Sequence, residues 1–202
     1  RDGQSVRFLL DNVVAKIGRL DILVNNVGGA ETFGDFFTLT DADWKDAYDL
    51  NVMSMVYFSR AAIPWLRKSD SARIINIASL PAKQPGSFNP HYSAAKAAML
   101  NINKHLANVL AKDNILVNAI CPSTLRGGGW DRNVLHRAER GGITQAEAEN
   151  IMIEEERKKS PLGKLGTLDD IAHLAIFLAS SKNTYITGSV IDVDGGIRRS
   201  VT

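Results

Sequence analysis

Tyr92 and Lys96 stand four residues apart in the stretch HYSAAK, with only small residues between them. On an α-helix, side chains at i and i+4 share one face about a turn apart. A phenol has a reference pKa of about 10, and a nearby ammonium favours the phenolate and lowers that pKa. Lys96 is placed to do this. A phenol tuned in this way could give a proton to a carbonyl oxygen or take one from an alcohol.

Ser79 could supply a second hydroxyl at the same place. It follows the apolar run ARIINIAS, and Tyr92 begins the helix after the Ser79 loop, so the two hydroxyls could meet. Ser79 could then hold the substrate oxygen by a hydrogen bond, or it could simply cap a turn. As an acyl-transfer nucleophile it lacks a surrounding G-x-S-x-G elbow. No side chain can accept or deliver hydride, which a nicotinamide cofactor would supply.

The elements that position these groups alternate along the chain. Four short apolar runs closed by polar or glycine residues predict strands: DILVNN, ARIINIAS, NILVNAIC and SVIDVDGG. Because helical patterns separate them, we predict an α/β fold with a doubly wound, mostly parallel sheet, in one domain spanning residues 1–202. Ligands in such sheets bind beyond the carboxyl ends of the strands.

Local signals set the helix ends. The first helix is predicted to begin after Asp2, and a capping box at Thr40 opens a helix that runs to about Arg67. The helix that carries Tyr92 runs to about Lys112, and Thr167 opens a last apolar helix in the same way.

Composition narrows the class of protein. The 202 residues carry a formal net charge of +2, with acids and bases interspersed, so nothing indicates a nucleic-acid or anionic membrane partner. No apolar run reaches the roughly 18 to 20 residues that a membrane span needs. The lone Cys121 excludes an intrachain disulfide framework and suits a reducing compartment. We expect a cytoplasmic protein.

Residues 123–160 are irregular and too long for a plain connection, so they predict a lid over a site. The glycines at 127–129 lack the Lys-Ser/Thr ending of a phosphate-binding loop and predict a hinge. Four arginines of this lid could meet an anionic substrate or could be solvated, and the second reading is favoured: Arg126, Arg132, Arg137 and Arg140.

Together these residues resemble a known family. Asn25-Asn26-Val27-Gly28 is similar to the N-N-A-G element of short-chain dehydrogenase/reductases, and Tyr92 to Lys96 is similar to their Y-x-x-x-K. Ser79 lies where that family has its catalytic serine, and Asn51 matches the fourth member of its catalytic set. The resemblance covers essentially the whole chain.

The resemblance implies a role for each matching residue. Tyr92 would be the general acid/base, and Ser79 would bind the substrate oxygen. Lys96 would tune Tyr92 and bind the nicotinamide ribose, while Asn51 would anchor a water that links Lys96 to solvent. Asn51 could instead bond only to local backbone. The substrate is expected to meet Ser79, Leu80 and Trp130. The cofactor, NAD or NADP, is expected to meet Asn26, Gly28, Tyr92, Lys96, Ile120, Pro122, Ser123 and Thr124.

The resemblance also has gaps. The strand and glycine-rich turn with which the family cradles the pyrophosphate have no counterpart. DILVNN is apolar on both faces and would form an exposed parallel edge. We therefore expect that the functional protein has an N-terminal segment that this sequence omits. The main reading is an oxidoreductase that interconverts an alcohol and a ketone on a small substrate. The alternative is a non-catalytic remnant that serves as an association partner.

Two smaller expectations concern assembly and His91. The family pairs its two long helices into dimers or tetramers, which here implies residues 41–67 and 92–112 and a homodimer or homotetramer. His91, beside Tyr92, could be a base, but a structural role is favoured because the resemblance gives it no function.

Overall fold

A single parallel sheet lies at the centre of the structure. The computed structural model describes residues 2–127 and 129–201, and over these ranges four strands pair in the order β1-β2-β3-β4. The strands are β1 (Ile22–Asn25), β2 (Arg73–Ile77), β3 (Leu116–Pro122) and β4 (Val190–Val193). Because all four run the same way, their carboxyl ends share one edge of the sheet.

Helices connect the strands and flank the sheet. They are α1 (Gly3–Ile17), α2 (Asp41–Tyr48), α3 (Ser54–Leu66), α4 (Pro90–Leu110), α5 (Trp130–Gly141), α6 (Gln145–Lys159) and α7 (Leu168–Ala179). A π-helical segment, Asp49–Met53, joins α2 to α3, so the helix predicted to reach about Arg67 contains one local widening. Short 3₁₀ turns follow β2 at Leu80–Ala82 and α4 at Ala111–Asp113.

Capping side chains fix where these helices begin. Asp2 accepts hydrogen bonds from the first turn of α1, and Gly18 ends that helix with a positive φ of 84°. The capping boxes predicted at Thr40 and Thr167 are both present. A third box, at Thr144 before α6, was not predicted, although Glu147 follows it at the required spacing.

Both faces of the sheet are covered, which confirms the doubly wound fold. On one face α1, α3 and α4 enclose a core whose buried members include Leu10, Leu66 and Leu110. On the other face α7 packs Leu178 against Ile75 and Ile120. In the part of the chain that the structure describes, no helix is both long enough and apolar enough to cross a membrane.

Strand β1 departs from the predicted burial on both faces. It lies at one edge of the sheet, and only alternate residues are buried. Leu23 and Asn25 face the helices, whereas Ile22 and Val24 remain 42% and 46% exposed. The reason is that α7 packs on β2 and β3, so among the described residues little covers the second face of β1.

Three buried asparagines connect the strands beneath the sheet. The Asn25 side-chain nitrogen donates to the Asn76 side-chain oxygen at 2.8 Å, and Asn76 donates in the same way to Asn103 of α4 at 2.9 Å. Asn103 then donates to the Ser189 carbonyl just before β4 at 3.4 Å. This asparagine chain ties β1, β2, α4 and the approach to β4 together, and its buried amides are satisfied by one another.

Candidate active site

Ser79 and Tyr92 meet beyond the carboxyl end of β2. Ser79 is the residue immediately before the 3₁₀ turn that follows the strand, and Tyr92 lies in the first turn of α4, which Pro90 opens. The Ser79 side chain lies close enough to the Tyr92 hydroxyl to lower the pKa of Tyr92. The structure therefore brings the two hydroxyls together, as the order of the elements predicts.

The pKa of Tyr92 shifts in the direction opposite to the expected one. Burial raises it above its usual value, because the phenolate would lose solvation. The hydrogen bond from Ser79 and the charge of Arg132 act in the other direction without cancelling this effect. Tyr92 is consequently a protonated phenol at neutral pH, which is the form that donates a proton to a carbonyl oxygen.

Lys96 lies one helical turn beyond Tyr92 and is 3% exposed. Its Nζ donates to the Ile77 carbonyl at 2.9 Å and lies 5.7 Å from the centroid of the Tyr92 ring. Burial lowers the pKa of Lys96 from 10.5 to about 8, so the ammonium remains mostly charged at neutral pH. A positive charge next to the phenol would stabilise a phenolate after proton transfer.

Asn51 lies within the π-helical segment and is fully buried. Such single π turns occur mostly as local widenings of α-helices, often at functional sites. The Asn51 amide nitrogen donates to Ala47 O at 2.8 Å and Gly29 O at 2.9 Å, and its oxygen accepts from Gly29 N at 3.0 Å. Both amide hydrogens are therefore engaged by backbone. The side chain fastens the loop after β1 to the helix.

Gly28 lets the side chains of Asn51 and Lys96 approach its backbone closely. A Cβ at this position would lie 2.5 Å from the Asn51 side-chain oxygen and 2.8 Å from Lys96 Nζ, both too close for any larger residue. Among the described residues, the Lys96 ammonium has one hydrogen-bond acceptor, the Ile77 carbonyl, so two of its three N–H groups remain able to donate. A polyhydroxyl group such as a ribose fits this donor set.

The remaining residues expected at the cofactor differ in accessibility. Asn26 is exposed beside β1, and Ser123 and Thr124 are half-buried just beyond β3, while Pro122 is buried. Ile120 is fully buried in the core against α7, because β3 is a central strand covered on both faces. It offers no surface for the predicted cofactor contact.

The predicted substrate contacts are not equally placed. Leu80 is 7% exposed directly after Ser79. Trp130 is instead buried in a cluster formed by α5 and α6 themselves, and its Nε1 donates to Glu149 at 3.1 Å. The Trp130 side chain therefore packs inside the predicted lid, and its contact with a substrate stays a prediction. Of the predicted hinge glycines, Gly128 lies outside the described residues.

The four lid arginines have different environments. Arg126 forms an ion pair with Glu149 at 3.0 Å, and Arg137 forms one with Glu155 at 2.6 Å. Arg140 lies over the Phe88 ring, with its guanidinium carbon 5.6 Å from the centroid.

Arg132 is the lid arginine that reaches the loop after β1. Its Nη2 lies 3.2 Å from the Cβ position of Gly29, and its charge lowers the pKa of Tyr92. The sequence did not single out Arg132, because nothing in its spacing distinguishes it from the other three.

His91 has a structural environment. It is 2% exposed, packs edge to face with Trp44, and has its pKa lowered by burial. Its Nδ1 has no hydrogen-bond partner among the residues that the structure describes. A neutral imidazole facing away from solvent agrees with the structural reading.

Comparison with known proteins gives one family. Residues 1–198 match a family model described as enoyl-(acyl carrier protein) reductase. The chain is 34% identical over 189 residues to 2-dehydro-3-deoxy-D-gluconate 5-dehydrogenase of Escherichia coli strain K12, covering 93% of this chain and 69% of that protein. It is 32% identical over 193 residues to the 7alpha-hydroxysteroid dehydrogenase of the same organism, covering 96% and 69%.

Solved structures agree with the sequence comparisons. L-sorbose reductase from Gluconobacter frateurii, complexed with NADPH and L-sorbose, superposes with a TM-score of 0.90 at 28% identity, over 99% of this chain and 74% of that one. Ligand-free aldohexose dehydrogenase from Thermoplasma acidophilum superposes with a TM-score of 0.90 at 26% identity, over 100% and 77%.

Proposed function

Because the chain belongs to the short-chain dehydrogenase/reductase family, we propose that this NAD(P)-dependent oxidoreductase interconverts a ketone and an alcohol, with Tyr92 as the proton donor and acceptor. The observation that carries the proposal is the buried Lys96, whose Nζ lies 5.7 Å from the centroid of the Tyr92 ring, with Ser79 close to the same tyrosine. The related proteins include dehydrogenases and reductases of sugars, a sugar acid and a steroid.

The Lys96 donors beside Gly28 support the position of the cofactor. Lys96 and Tyr92 would hold the nicotinamide ribose, and Asn26, Gly28, Ser123 and Thr124 would line the rest of the described half of the site. When bound, NAD or NADP would supply or accept the hydride. Asn51 contributes by holding the backbone of the Gly28–Gly29 turn in place.

In the direction of reduction, the Ser79 hydroxyl donates a hydrogen bond to the ketone oxygen. The Tyr92 hydroxyl gives its proton to the same oxygen as negative charge develops there. The Lys96 ammonium then stabilises the phenolate that Tyr92 becomes. In the direction of oxidation the phenolate takes the proton from the alcohol. The same three residues therefore transfer the proton in both directions of the reaction.

Substitution of Tyr92 tests the proposal directly. NADH and NADPH are titrated into the protein while nicotinamide fluorescence is followed, and turnover is measured on the classes of substrate named for its relatives. We expect Tyr92→Phe to lower kcat by about 10²- to 10⁴-fold, the usual contribution of a positioned acid/base. Ser79→Ala removes one hydrogen bond to the reacting oxygen, so we expect about a 10- to 100-fold loss.

Tyr185→Phe is the matched control, because Tyr185 is 96% exposed and distant in sequence from the site. It is expected to retain wild-type kcat. Turnover by Tyr92→Phe at the wild-type rate would refute the assigned chemistry. Failure of the wild-type protein to bind either cofactor would favour the non-catalytic remnant instead.

A further inference from the structure

Arg132 places a cation beside the proposed catalytic tyrosine. It belongs to the first turn of α5, and its Nη2 lies 3.2 Å from the Cβ position of Gly29. Gly29 is the residue that Asn51 fastens by both its N–H and its carbonyl. The guanidinium therefore lies over the loop after β1, one residue from Gly28, which the Lys96 ammonium approaches.

An aromatic stack holds the helix that carries this cation. The Phe33 ring stacks on His136, one turn further along α5, with centroids 4.5 Å apart and an interplanar angle of 20°. The guanidinium carbon of Arg132 lies 5.8 Å from the centroid of the same Phe33 ring. Arg132 is thus held against a ring that is itself fixed, which limits the entropy lost when the guanidinium binds a ligand.

The loop that carries Phe33 is anchored in turn. Gly34 N donates to the Asn89 side-chain oxygen at 3.1 Å, and Asn89 N donates to the Gly34 carbonyl at 2.8 Å. Asn89 is the residue directly before the helix that begins with Pro90 and carries Tyr92. Phe33 and Tyr92 therefore lie on two segments that the hydrogen bonds between Gly34 and Asn89 join.

The charge of Arg132 lacks a counter-ion within the described chain. Arg126 and Arg137 are paired with glutamates, whereas no ion pair joins Arg132 to another described residue, and its guanidinium lies near the Phe33 ring and Gly29. A guanidinium presents a planar fork of donors that matches a carboxylate in two parallel hydrogen bonds. Most of its donors are available to an anion that enters beside Tyr92.

We propose that Arg132 binds a carboxylate of the substrate, so that the protein acts on small oxo acids and the matching hydroxy acids. This inference rests on the proposed function and adds the class of substrate. The carboxylate bound by Arg132 turns the substrate so that its ketone faces the hydroxyls of Ser79 and Tyr92. A neutral analogue lacks this second point of attachment.

The test compares three oxo acids with their neutral amides. Pyruvate, acetoacetate and levulinate place the carboxylate at increasing distance from the ketone, and pyruvamide, acetoacetamide and levulinamide are the uncharged counterparts. Steady-state reduction is measured with NADH and with NADPH for wild type, Arg132→Gln and Arg132→Lys. Arg140→Gln is the matched control, because Arg140 lies on the same helix, also packs on a phenylalanine ring and is not near Gly29.

We expect wild type to prefer at least one acid over its amide by about 10- to 100-fold in kcat/KM, as for a hydrogen bond to a charged group. Arg132→Gln should abolish this preference by raising the KM for the acid, with little change for the amide. Arg132→Lys should restore part of it, and Arg140→Gln should leave it unchanged.

Other results would overturn the inference. Equal use of acids and amides by wild type, or a preference that survives in Arg132→Gln, would leave the proposed function standing and remove the carboxylate contact. A rise in the KM for NAD(P)H that affects acids and amides alike would assign Arg132 to the cofactor phosphates instead. If no ketone is reduced, binding of the same oxo acids to the NAD(P)H-loaded wild type and Arg132→Gln is measured by calorimetry. Acid binding that depends on Arg132 would support the inference while the proposed reaction fails, and absence of binding would refute the inference.

Discussion

Replacement of the buried Lys96 by methionine should stabilise the fold at neutral pH while it removes activity. Burial lowers the pKa of Lys96 from 10.5 to about 8. At about 1.4 kcal/mol for each pH unit, keeping this side chain charged at pH 7 costs roughly 3 kcal/mol. Methionine loses the hydrogen bond to Ile77, which is worth about 1 kcal/mol. The expected net gain in the free energy of unfolding is therefore about 2 kcal/mol.

The dependence on pH distinguishes this cause from better packing. Between about pH 8 and 10.5 the unfolded chain still holds the proton that folded Lys96 has released, so wild-type stability rises with pH in this window. Lys96→Met has no such proton. Its advantage should be constant below pH 8 and should fall by about 1.4 kcal/mol for each unit above it, to near zero around pH 9.5.

Urea unfolding of both proteins at pH 7, 8, 9 and 9.5, followed by tryptophan fluorescence, measures this difference. Lys112→Met is the control, because Lys112 is exposed at the end of α4, and its effect should be small at every pH. A Lys96→Met protein no more stable than wild type at pH 7 would refute the reasoning. So would a difference that stays constant across the whole pH range.

Three further predictions concern the same site and its predicted lid. Gly28→Ala should lower kcat/KM by 10-fold or more and lower the free energy of unfolding by about 1 to 3 kcal/mol, because the added methyl group clashes with two buried side chains. Gly86→Ala is the control, since a Cβ there meets nothing within 4 Å, and it should change neither quantity. Trp130→Phe should lower the free energy of unfolding by about 1 kcal/mol, because the hydrogen bond to Glu149 is lost, and should leave the KM for substrate unchanged. A large rise in that KM would instead show that Trp130 contacts the substrate. Arg132→Gln should raise the pKa of Tyr92, because a positive charge near the phenol is removed. The titration is followed by absorbance at 295 nm, and Tyr92→Phe identifies which part of the signal belongs to Tyr92. An unchanged titration would show that the guanidinium lies too far away to act on the phenol.

Local sequence patterns were sufficient to predict the main strands and helices of the fold. The strand that ends before Ser79 and the helix that begins near Tyr92 could be predicted because apolar runs, capping boxes and proline act over a few residues. The meeting of the two hydroxyls then follows from the geometry of parallel sheets, in which successive strands end at the same edge.

Properties that depend on distant packing could not be predicted in this way. The direction of the pKa shift of Tyr92 reverses the expectation, because spacing shows the neighbouring Lys96 but does not show the burial of the phenol. Trp130 turns inward because α6 supplies Glu149, 19 residues away, and Arg132 reaches Gly29 only through the way α5 docks. Neither contact has a signature in sequence spacing.

The asparagine chain beneath the sheet constrains how this protein can change over generations. Replacing Asn25, Asn76 or Asn103 alone leaves a neighbouring buried amide without its hydrogen-bond partner, which lowers the free energy of unfolding by about 1 to 3 kcal/mol. Replacing all three together with apolar residues of similar shape should cost less than the sum of the single changes, because no side-chain amide of the trio is left without a partner and the loss is confined to the bonds donated to the Ser59 hydroxyl and the Ser189 carbonyl. Accepted substitutions at these positions should therefore arrive as a group, and a lineage that has lost one asparagine of the trio is expected to have lost its partners as well.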